Sequence, residues 1–128
     1  MDAGERSMEE LALAVEGALQ SEDPMSFAGL LHPHVTWGAP GSARPPCTTR
    51  DQVVTWFGQG RESRSAAGIT SRVTEVSVVG DDRILVGMMF GRKGAYQERW
   101  QLLGTRDGQI ADIRGFEDRP SAVAYNPA

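Results

Sequence analysis

The sequence contains one cysteine, one lysine and no long apolar run, and each scarcity excludes a class of protein. Cys47 has no partner for an intrachain disulfide, so the fold must be held together by its own core. No segment approaches the roughly 18 consecutive apolar residues of a membrane helix. The first ten residues are acidic and lead into no apolar run, which argues against a secretory signal. We therefore expect a cytoplasmic protein that does not act at a membrane.

The composition is that of one globular domain. The chain has 128 residues, of which 40% are hydrophobic and 23% are charged, and a chain of this size buries about two-thirds of its surface on folding. The net charge is −4, and the basic residues are scattered along the chain, so binding to nucleic acid is not expected. The ordered core of this single domain is predicted to span about 7–119, with a loosely held tail after Pro120.

Two helices are predicted before the first strand. Ser7 and Glu10 have the spacing of a capping box, and apolar residues then recur at helical spacing over 8–20. The Asp-Pro pair at 23–24 marks the start of a second, short helix that is expected to end near Pro33.

A strand, a loop and a third helix follow. Alternation of apolar with polar or small residues over 35–38 predicts a brief strand, and the Gly- and Pro-rich stretch 39–46 predicts a loop. Thr49 caps the third helix, which Gly58 and Gly60 are expected to end.

The second half of the chain has the two-residue period of strands. Short turns that contain glycine or aspartate separate these strands, so we expect hairpins and a mostly antiparallel sheet. Helices precede strands instead of alternating with them, which indicates an α+β fold. The four predicted strands are Ile69–Val79, Arg83–Gly91, Tyr96–Thr105 and Gln109–Glu117.

The last hairpin decides which side chains face the helices. A two-residue turn at 107–108 would set Leu102 opposite Ile113. Because directly opposed residues share a face, the more apolar face is expected to point inward and to carry Glu98 with it. The predicted inner residues of this hairpin are Tyr96, Glu98, Trp100, Leu102, Ala111, Ile113 and Gly115.

The opposite face of the hairpin mixes polar and apolar side chains. Such a surface suits a homodimer contact through the outer sheet face, and plain exposure to solvent is the alternative. Met88 and Phe90, on the preceding strand, are expected to join the inner wall. The predicted outer residues are Gln97, Arg99, Gln101, Leu103, Asp112, Arg114 and Phe116.

Three short motifs lie along this predicted order of helices and strands. They are HPHVTWG at 32–38, TTRDQV at 48–53 and RDGQIADIRGFED at 106–118. With that order they resemble the SnoaL-like branch of the nuclear transport factor 2-like superfamily, over nearly the whole chain. The resemblance implies a cystatin-like cone, in which a curved sheet wraps around three N-terminal helices and leaves an apolar pocket. That superfamily contains polyketide cyclases, ketosteroid isomerase, limonene epoxide hydrolase and proteins without catalysis, so the resemblance implies no single activity.

The resemblance also implies that the acids of the named enzymes are missing. The general-base aspartate of the isomerases corresponds to Ala39, and the aspartate of SnoaL-type cyclases corresponds to Gly115. Two further polar positions of the epoxide hydrolases correspond to Met88 and Phe90. The pocket is therefore expected to be more apolar than in those enzymes.

Glu98 is the best remaining candidate for an acid or base. A carboxylate in an apolar pocket has a raised pKa, as proton abstraction beside a carbonyl requires, and His34 or Tyr96 could donate the proton. The alternative is a structural pairing of Glu98 with an arginine. Cys47 lies near a helix N-terminus, where a nucleophile is conceivable, but a lone cysteine is more typical of inert packing.

Two functions stay open at this point. The first is an enzyme of the isomerase, cyclase or dehydratase type that transfers protons on an apolar carbonyl compound. The second is a non-catalytic ligand-binding or dimerisation module. No metal is expected, because no cluster of Cys, Asp or Glu joins His32 and His34 to complete a set of metal ligands. No cofactor is expected either. The predicted ligand-binding residues are Trp37, Arg50, Trp56, Met88, Phe90, Trp100 and Ile113.

Overall fold

A computed structural model describes residues 7–21, 23 and 25–125. No helix within these ranges is both long and apolar enough to cross a membrane. The helices are α1 (Met8–Gln20), α2 (Met25–Ala28), α3 (Arg50–Ala66) and α4 (Arg119–Ala124), and the strands are β1 (Leu31–Gly38), β2 (Thr70–Val79), β3 (Arg83–Arg92), β4 (Ala95–Arg106) and β5 (Gln109–Phe116).

The five strands form one curved sheet in the order β1-β5-β4-β3-β2. Strands β2 to β5 are an antiparallel meander, and β1 pairs with β5 in parallel. The predicted α+β class and the mostly antiparallel sheet are confirmed. One irregularity in the β2–β3 ladder lies between Val73 and Glu75, and such bulges bend a strand and raise its twist.

The main core lies between the inner face of the sheet and helices α1 to α3. Helix α1 contributes one apolar stripe, since its buried residues recur at helical spacing. Alternate residues of β3, β4 and β5 contribute the facing wall, with Ile84, Val86, Leu103 and Ile113 all nearly or fully buried.

The predicted start of α1 is confirmed. The Ser7 Oγ accepts a hydrogen bond from the Glu10 N–H at 3.1 Å, and the Glu10 carboxylate accepts one from the Ser7 N–H at 3.1 Å. Asp23 caps α2 by accepting from the Met25 N–H at 2.9 Å. Pro24, expected in the first turn of α2, lies outside the described residues.

Helix α2 is shorter than predicted. It ends at Ala28, and β1 begins at Leu31, which pairs with Ile110 of β5. The expectation of helix near Pro33 is therefore wrong. Proline is tolerated there because β1 is an edge strand, where one face of the backbone needs no partner.

Helix α3 is longer than predicted. Its cap at Thr49 is confirmed, since the Thr49 Oγ1 accepts from the Gln52 N–H at 3.3 Å. The helix then continues through Gly58 and Gly60 to Ala66, so the predicted stop is wrong. Glycine lowers helix propensity by only about 1 kcal/mol, which packing of the helix on its neighbours can outweigh. The chain turns instead at Gly68, which has a φ of +73°.

The last hairpin contains a bulge that changes the predicted faces. Its turn is as expected, because Arg106 pairs with Gln109. The ladder then slips, since Thr105 pairs with Ile110 while Gly104 pairs with Asp112, leaving Ala111 as the extra residue of β5. Each later pair is shifted by one position along β4.

The shift reverses the two faces of β4. Leu103, not Leu102, lies opposite Ile113. The predicted faces are correct for β5 from Asp112 onward and wrong for β4, because a one-residue slip moves every side chain of a strand to the other side. The inner residues of β4 are Arg99, Gln101 and Leu103, and the outer residues include Glu98, Trp100 and Leu102.

The segment after Pro120 is not a loose tail up to Tyr125. Asp118 caps α4 by accepting from the Ser121 N–H at 2.8 Å, and Ala122 is fully buried. Together with Leu85, Trp100 and Leu102, Ala122 forms a second apolar cluster on the outer face of the sheet. This part of the outer face is thus covered by the chain itself.

Candidate functional site

A small cavity lies between the three N-terminal helices and the inner face of the sheet. Its volume is about 90 Å³. Every helix and strand except α4 contributes at least one lining residue. These residues are Leu19, Phe27, Trp37, Trp56, Phe57, Gly60, Arg61, Arg64, Ser71, Met88, Phe90, Gln101 and Ile113.

Two pairs of aromatic rings form much of the cavity wall. Trp37 of β1 meets Trp56 of α3 edge to face, with ring centroids 6.1 Å apart, and Phe27 stacks on Phe57 at 5.0 Å. Trp56 is 46% exposed, so it lies at the rim. Edge-to-face and offset stacks of this kind leave flat apolar surfaces that suit a planar ligand.

Arg61 is held firmly at one end of the cavity. Its Nη2 donates to the Leu19 carbonyl oxygen at 3.2 Å and to the Ser21 carbonyl oxygen, both at the C-terminal end of α1. Its guanidinium carbon lies 5.0 Å from the centroid of the Phe57 ring. Its Nη1 is buried and has no hydrogen-bond partner in the part of the chain that the structure describes. Such a buried, unused donor is unusual in proteins.

Arg64 lies one helical turn further along α3. Its guanidinium carbon lies 4.8 Å from the centroid of the Phe90 ring. Burial lowers the pKa of Arg64, and the neighbouring charge of Arg61 lowers it further. Within the described ranges, no carboxylate forms an ion pair with either arginine.

Gly60 leaves room for the Arg64 side chain. A Cβ at position 60 would lie 3.1 Å from the Arg64 Nη1, which is tighter than an ordinary contact. The glycine that was expected to stop α3 instead lies inside the helix and lets a guanidinium fold back over its bare backbone.

Two open clefts adjoin the cavity. One, of about 620 Å³, shares five lining residues with it, including both arginines. The other, of about 650 Å³, shares Arg64, Phe90 and Gln101 with the cavity and includes Gly115. Arg64 therefore lies where the cavity and both clefts meet.

Five of the predicted ligand-binding residues line this cavity: Trp37, Trp56, Met88, Phe90 and Ile113. The other two do not. The Arg50 Nε donates to the Leu31 carbonyl oxygen at 3.0 Å, so this side chain ties α3 to β1. Trp100 lies on the outer face, as a result of the bulge, and packs in the cluster beneath α4.

None of the predicted catalytic residues lines the cavity. Glu98 is exposed and lies on the outer face, so its predicted inward placement is wrong. Tyr96 is 56% exposed. His34 is also exposed, and its backbone N–H donates to the His32 Nδ1 at 3.1 Å. The bulge is the physical reason for Glu98 and Tyr96, and the edge position of β1 is the reason for His34.

Cys47 is a packing residue. Its side chain is fully buried in the main core, and burial raises the pKa of its thiol. A thiol in such surroundings stays protonated at neutral pH and is a poor nucleophile.

Arg61 and Arg64 are the site residues that the sequence analysis missed. With α3 predicted to end at Gly58 and Gly60, both arginines fall outside every predicted element. The signal was present, since Phe57, Gly60 or Arg61, and Arg64 continue the three- and four-residue spacing of the helix face that begins at Val53.

Comparison with known proteins places the fold but no activity. No family model matches the chain, and no curated protein matches it. A solved structure of a Xanthomonas campestris protein of unknown function with a cystatin-like fold is 21% identical and superposes with a TM-score of 0.66, over 91% of this chain and 95% of that one. The chain has the cystatin-like, or nuclear transport factor 2-like, fold.

Two further structures of similar fold contain small molecules. TerC, co-crystallised with polyporic acid, is 18% identical and has a TM-score of 0.62 over 86% of this chain and 90% of TerC. A Catenulispora acidiphila protein with a ketosteroid isomerase-like fold, in complex with trimethylamine, is 20% identical and has a TM-score of 0.57 over 94% of this chain and 93% of that chain. At these identities the nuclear transport factor 2-like fold is shared, but a shared fold does not imply a shared activity or ligand.

Proposed function

We propose that this protein binds a small, largely apolar molecule in the cavity and the adjoining cleft of about 620 Å³, and does not transform it. The observation that carries this proposal is the composition of the cavity wall. Aromatic and aliphatic side chains dominate it, and its polar side chains are two arginines, one serine and one glutamine. Pockets with an apolar wall and a few convergent polar groups are typical of ligand-binding sites.

The same wall disfavours the enzyme alternative. Proton transfer needs a side chain that can take up or release a proton near neutral pH, and such groups are Asp, Glu, His, Cys, Lys or Tyr. None of these types is among the described residues that line the cavity. This lining therefore includes no base that would activate the Ser71 hydroxyl. Isomerase, cyclase or dehydratase chemistry therefore finds no acid or base within this part of the structure.

The structures of similar fold support the binding proposal. TerC and the Catenulispora protein each hold a small molecule, polyporic acid in one case and trimethylamine in the other. A homodimer through the outer sheet face stays a prediction. The structure gives this prediction less support than the sequence does, because Gln101 and Leu103 lie on the inner face and α4 covers the region around Trp100.

Tryptophan fluorescence tests the proposal directly, because two of the three tryptophans line the cavity and the third lies on the other face. Titration with acetophenone, a neutral aromatic carbonyl compound, is expected to quench the fluorescence in a saturable way and to raise Tm. The Trp100→Phe variant should keep the saturable quenching. The double variant Trp37→Phe/Trp56→Phe should lose it while still showing a rise in Tm. Absence of both saturable quenching and a Tm shift with acetophenone, toluene and cyclohexanone would refute a neutral-ligand pocket.

A further inference from the structure

We infer that the ligand is an aromatic carboxylate, with its carboxylate at Arg64 and Arg61 and its ring against the tryptophan and phenylalanine walls. This inference rests on the proposed function, because it names the chemical class of the molecule that occupies the same site.

Arg61 and Arg64 carry positive charge that no neighbouring carboxylate of the described residues compensates. Arg61 and Arg64 are both half-buried, three residues apart on one face of α3, in a chain whose net charge is −4. Like charges at this spacing repel each other, and a partly buried cation without a counter-ion is costly. No carboxylate among the described residues offsets the pair. A bound anion would supply the missing negative charge.

The guanidinium groups of Arg61 and Arg64 differ in how their hydrogen-bond donors are used. Hydrogen bonds from the Arg61 Nη2 to two carbonyl oxygens at the C-terminal end of α1 fix this guanidinium, yet its buried Nη1 has no acceptor among the described residues. Arg64 contacts the face of the Phe90 ring, which accepts no conventional hydrogen bond. Guanidinium groups bind carboxylates through two parallel hydrogen bonds, so a carboxylate matches the donors of Arg64, while the fixed Arg61 beside it adds positive charge.

The position of Arg64 on its helix does not explain its orientation. A cation in the last turn of α3 interacts favourably with the helix dipole. An arginine pointing into solvent would provide that interaction equally well. Instead Arg64 folds over Gly60 and Phe90 at the junction of the cavity and both clefts.

The size of the site decides where the aromatic ring of the ligand can lie. The cavity of about 90 Å³ holds roughly three water molecules, which is less than a substituted ring needs. The adjoining cleft of about 620 Å³ shares Arg61 and Arg64 with it. A ring seated across this junction would contact the aromatic wall while its carboxylate lies beside the arginines. A cationic ligand would suit the aromatic rings but would be repelled by both guanidinium groups.

Calorimetric titration with benzoate and with benzamide tests the inference, because the two probes have nearly the same shape and differ in charge. At pH 7 and low salt, benzoate should bind the intact protein at least about tenfold more tightly than benzamide. The Arg64→Met variant keeps the apolar stem but removes the charge, and it should bring the two affinities within about threefold of each other. The matched control, Arg106→Met, removes an exposed arginine at the β4–β5 turn and should retain the preference.

Each other outcome overturns the inference in a recognisable way. Equal binding of benzoate and benzamide by the intact protein would refute the anion site and leave the neutral-ligand pocket standing. Equal loss in Arg64→Met and Arg106→Met would show a general effect of net charge. Inorganic phosphate binding as tightly as benzoate would refute the aromatic part. If no probe binds, acetophenone included, the proposed function fails with it. Circular dichroism and Tm verify that each variant is folded, and Arg64→Gln repeats the test should Arg64→Met unfold.

Discussion

Gly87 is the residue that lets Trp100 lie flat against the outer face of the sheet. The two residues are paired across β3 and β4. A Cβ at position 87 would lie 2.5 Å from the Trp100 Cζ3 and 2.9 Å from the Thr74 Oγ1. Real Cβ atoms do not approach other atoms so closely, so the indole would have to move out of the cluster beneath α4.

We therefore expect Gly87→Ala to lower the free energy of unfolding by about 1–3 kcal/mol, the usual cost of overpacking. Urea unfolding measures this change. Gly115→Ala is the matched control, since a Cβ there meets nothing within 4 Å, and it should change stability by less than about 0.5 kcal/mol. Equal effects of the two substitutions would contradict the packing argument.

Glu75 joins β2 to α4 through Arg119. The Arg119 Nε and Nη2 donate to the two Glu75 carboxylate oxygens at 3.0 and 2.8 Å, and the Ser77 hydroxyl donates at 2.7 Å. These hydrogen bonds, with that from Arg119 first, lower the pKa of Glu75 from 4.5 to about 2. A depressed pKa means that the folded state favours the ionised carboxylate, so this stabilisation is present above pH 4.5 and is lost as the pH falls toward 2.

Comparison of the intact protein with Glu75→Gln at several pH values measures this contribution. At pH 6 the variant should be less stable to urea, and the difference should shrink steadily as the pH is lowered to about 3. Glu62→Gln, which changes an exposed glutamate of α3, is the control for the loss of one negative charge. A difference that stays constant across this range would mean that the Glu75–Arg119 pair does not couple to folding.

At the scale of the element, α3 shows how one helix serves both the fold and the site. Its N-terminal half packs on the core through Val53, and its C-terminal half brings Arg61 and Arg64 to the cavity. Gly58 and Gly60 connect the two halves at a cost in helix propensity. The two glycines differ, because a Cβ at 58 meets nothing within 4 Å whereas a Cβ at 60 meets Arg64.

This difference predicts that two similar substitutions affect ligand binding differently. Gly58→Ala should raise the free energy of unfolding by about 1 kcal/mol and leave benzoate affinity unchanged. Gly60→Ala should give a similar or smaller gain in stability but lower benzoate affinity severalfold, because the new Cβ displaces the Arg64 guanidinium. Urea unfolding and calorimetric titration of the two variants provide the comparison. If benzoate affinity is unchanged in Gly60→Ala, Gly60 has no part in placing Arg64.

The β4–β5 hairpin shows which elements could be predicted. Its turn and strand bounds were confirmed to within about one residue because they depend on neighbouring residues only. The bulge at Ala111 could not be predicted, since no residue type at that position requires it. It arises where β5 pairs with β1 on one side and β4 on the other. The error moved Glu98 and Trp100 to the wrong face while Ile113, on β5 itself, was placed correctly.

At the scale of the whole molecule, α4 decides whether the outer face can associate. Ala122 closes the cluster of Leu85, Trp100 and Leu102, and the Tyr125 ring packs on Phe116 with centroids 5.4 Å apart. The Arg83 Nη1 also donates to the Tyr125 carbonyl oxygen at 2.5 Å. With this patch covered, the outer face offers less apolar surface for the homodimer predicted from the sequence, and we expect no association through the patch while α4 is docked.

Ala122→Asp tests this expectation by placing a charge in the buried cluster. It should release α4, expose the apolar patch around Trp100, and produce dimers or larger species with increased binding of a hydrophobic dye. Light scattering after size-exclusion chromatography measures the mass. Ala124→Asp is the matched control, because Ala124 is exposed on the same helix. Unchanged mass and unchanged dye binding in Ala122→Asp would contradict the covering role of α4.

The sequence by itself determined the α+β class, the caps of α1 and α3, the positions of β2 to β5 and five residues of the cavity wall, because periodicity and capping depend on residues close together in the chain. Only the tertiary structure decided the face of β4, the length of α3 and the docking of α4. Each of these depends on contacts between residues far apart in the chain: a ladder slip at Ala111, packing that carries a helix past Gly60, and burial of Ala122 against the sheet. The arginines that we propose as the anion site lie in the part of α3 beyond Gly60, so only the packing that extends this helix brings them to the cavity.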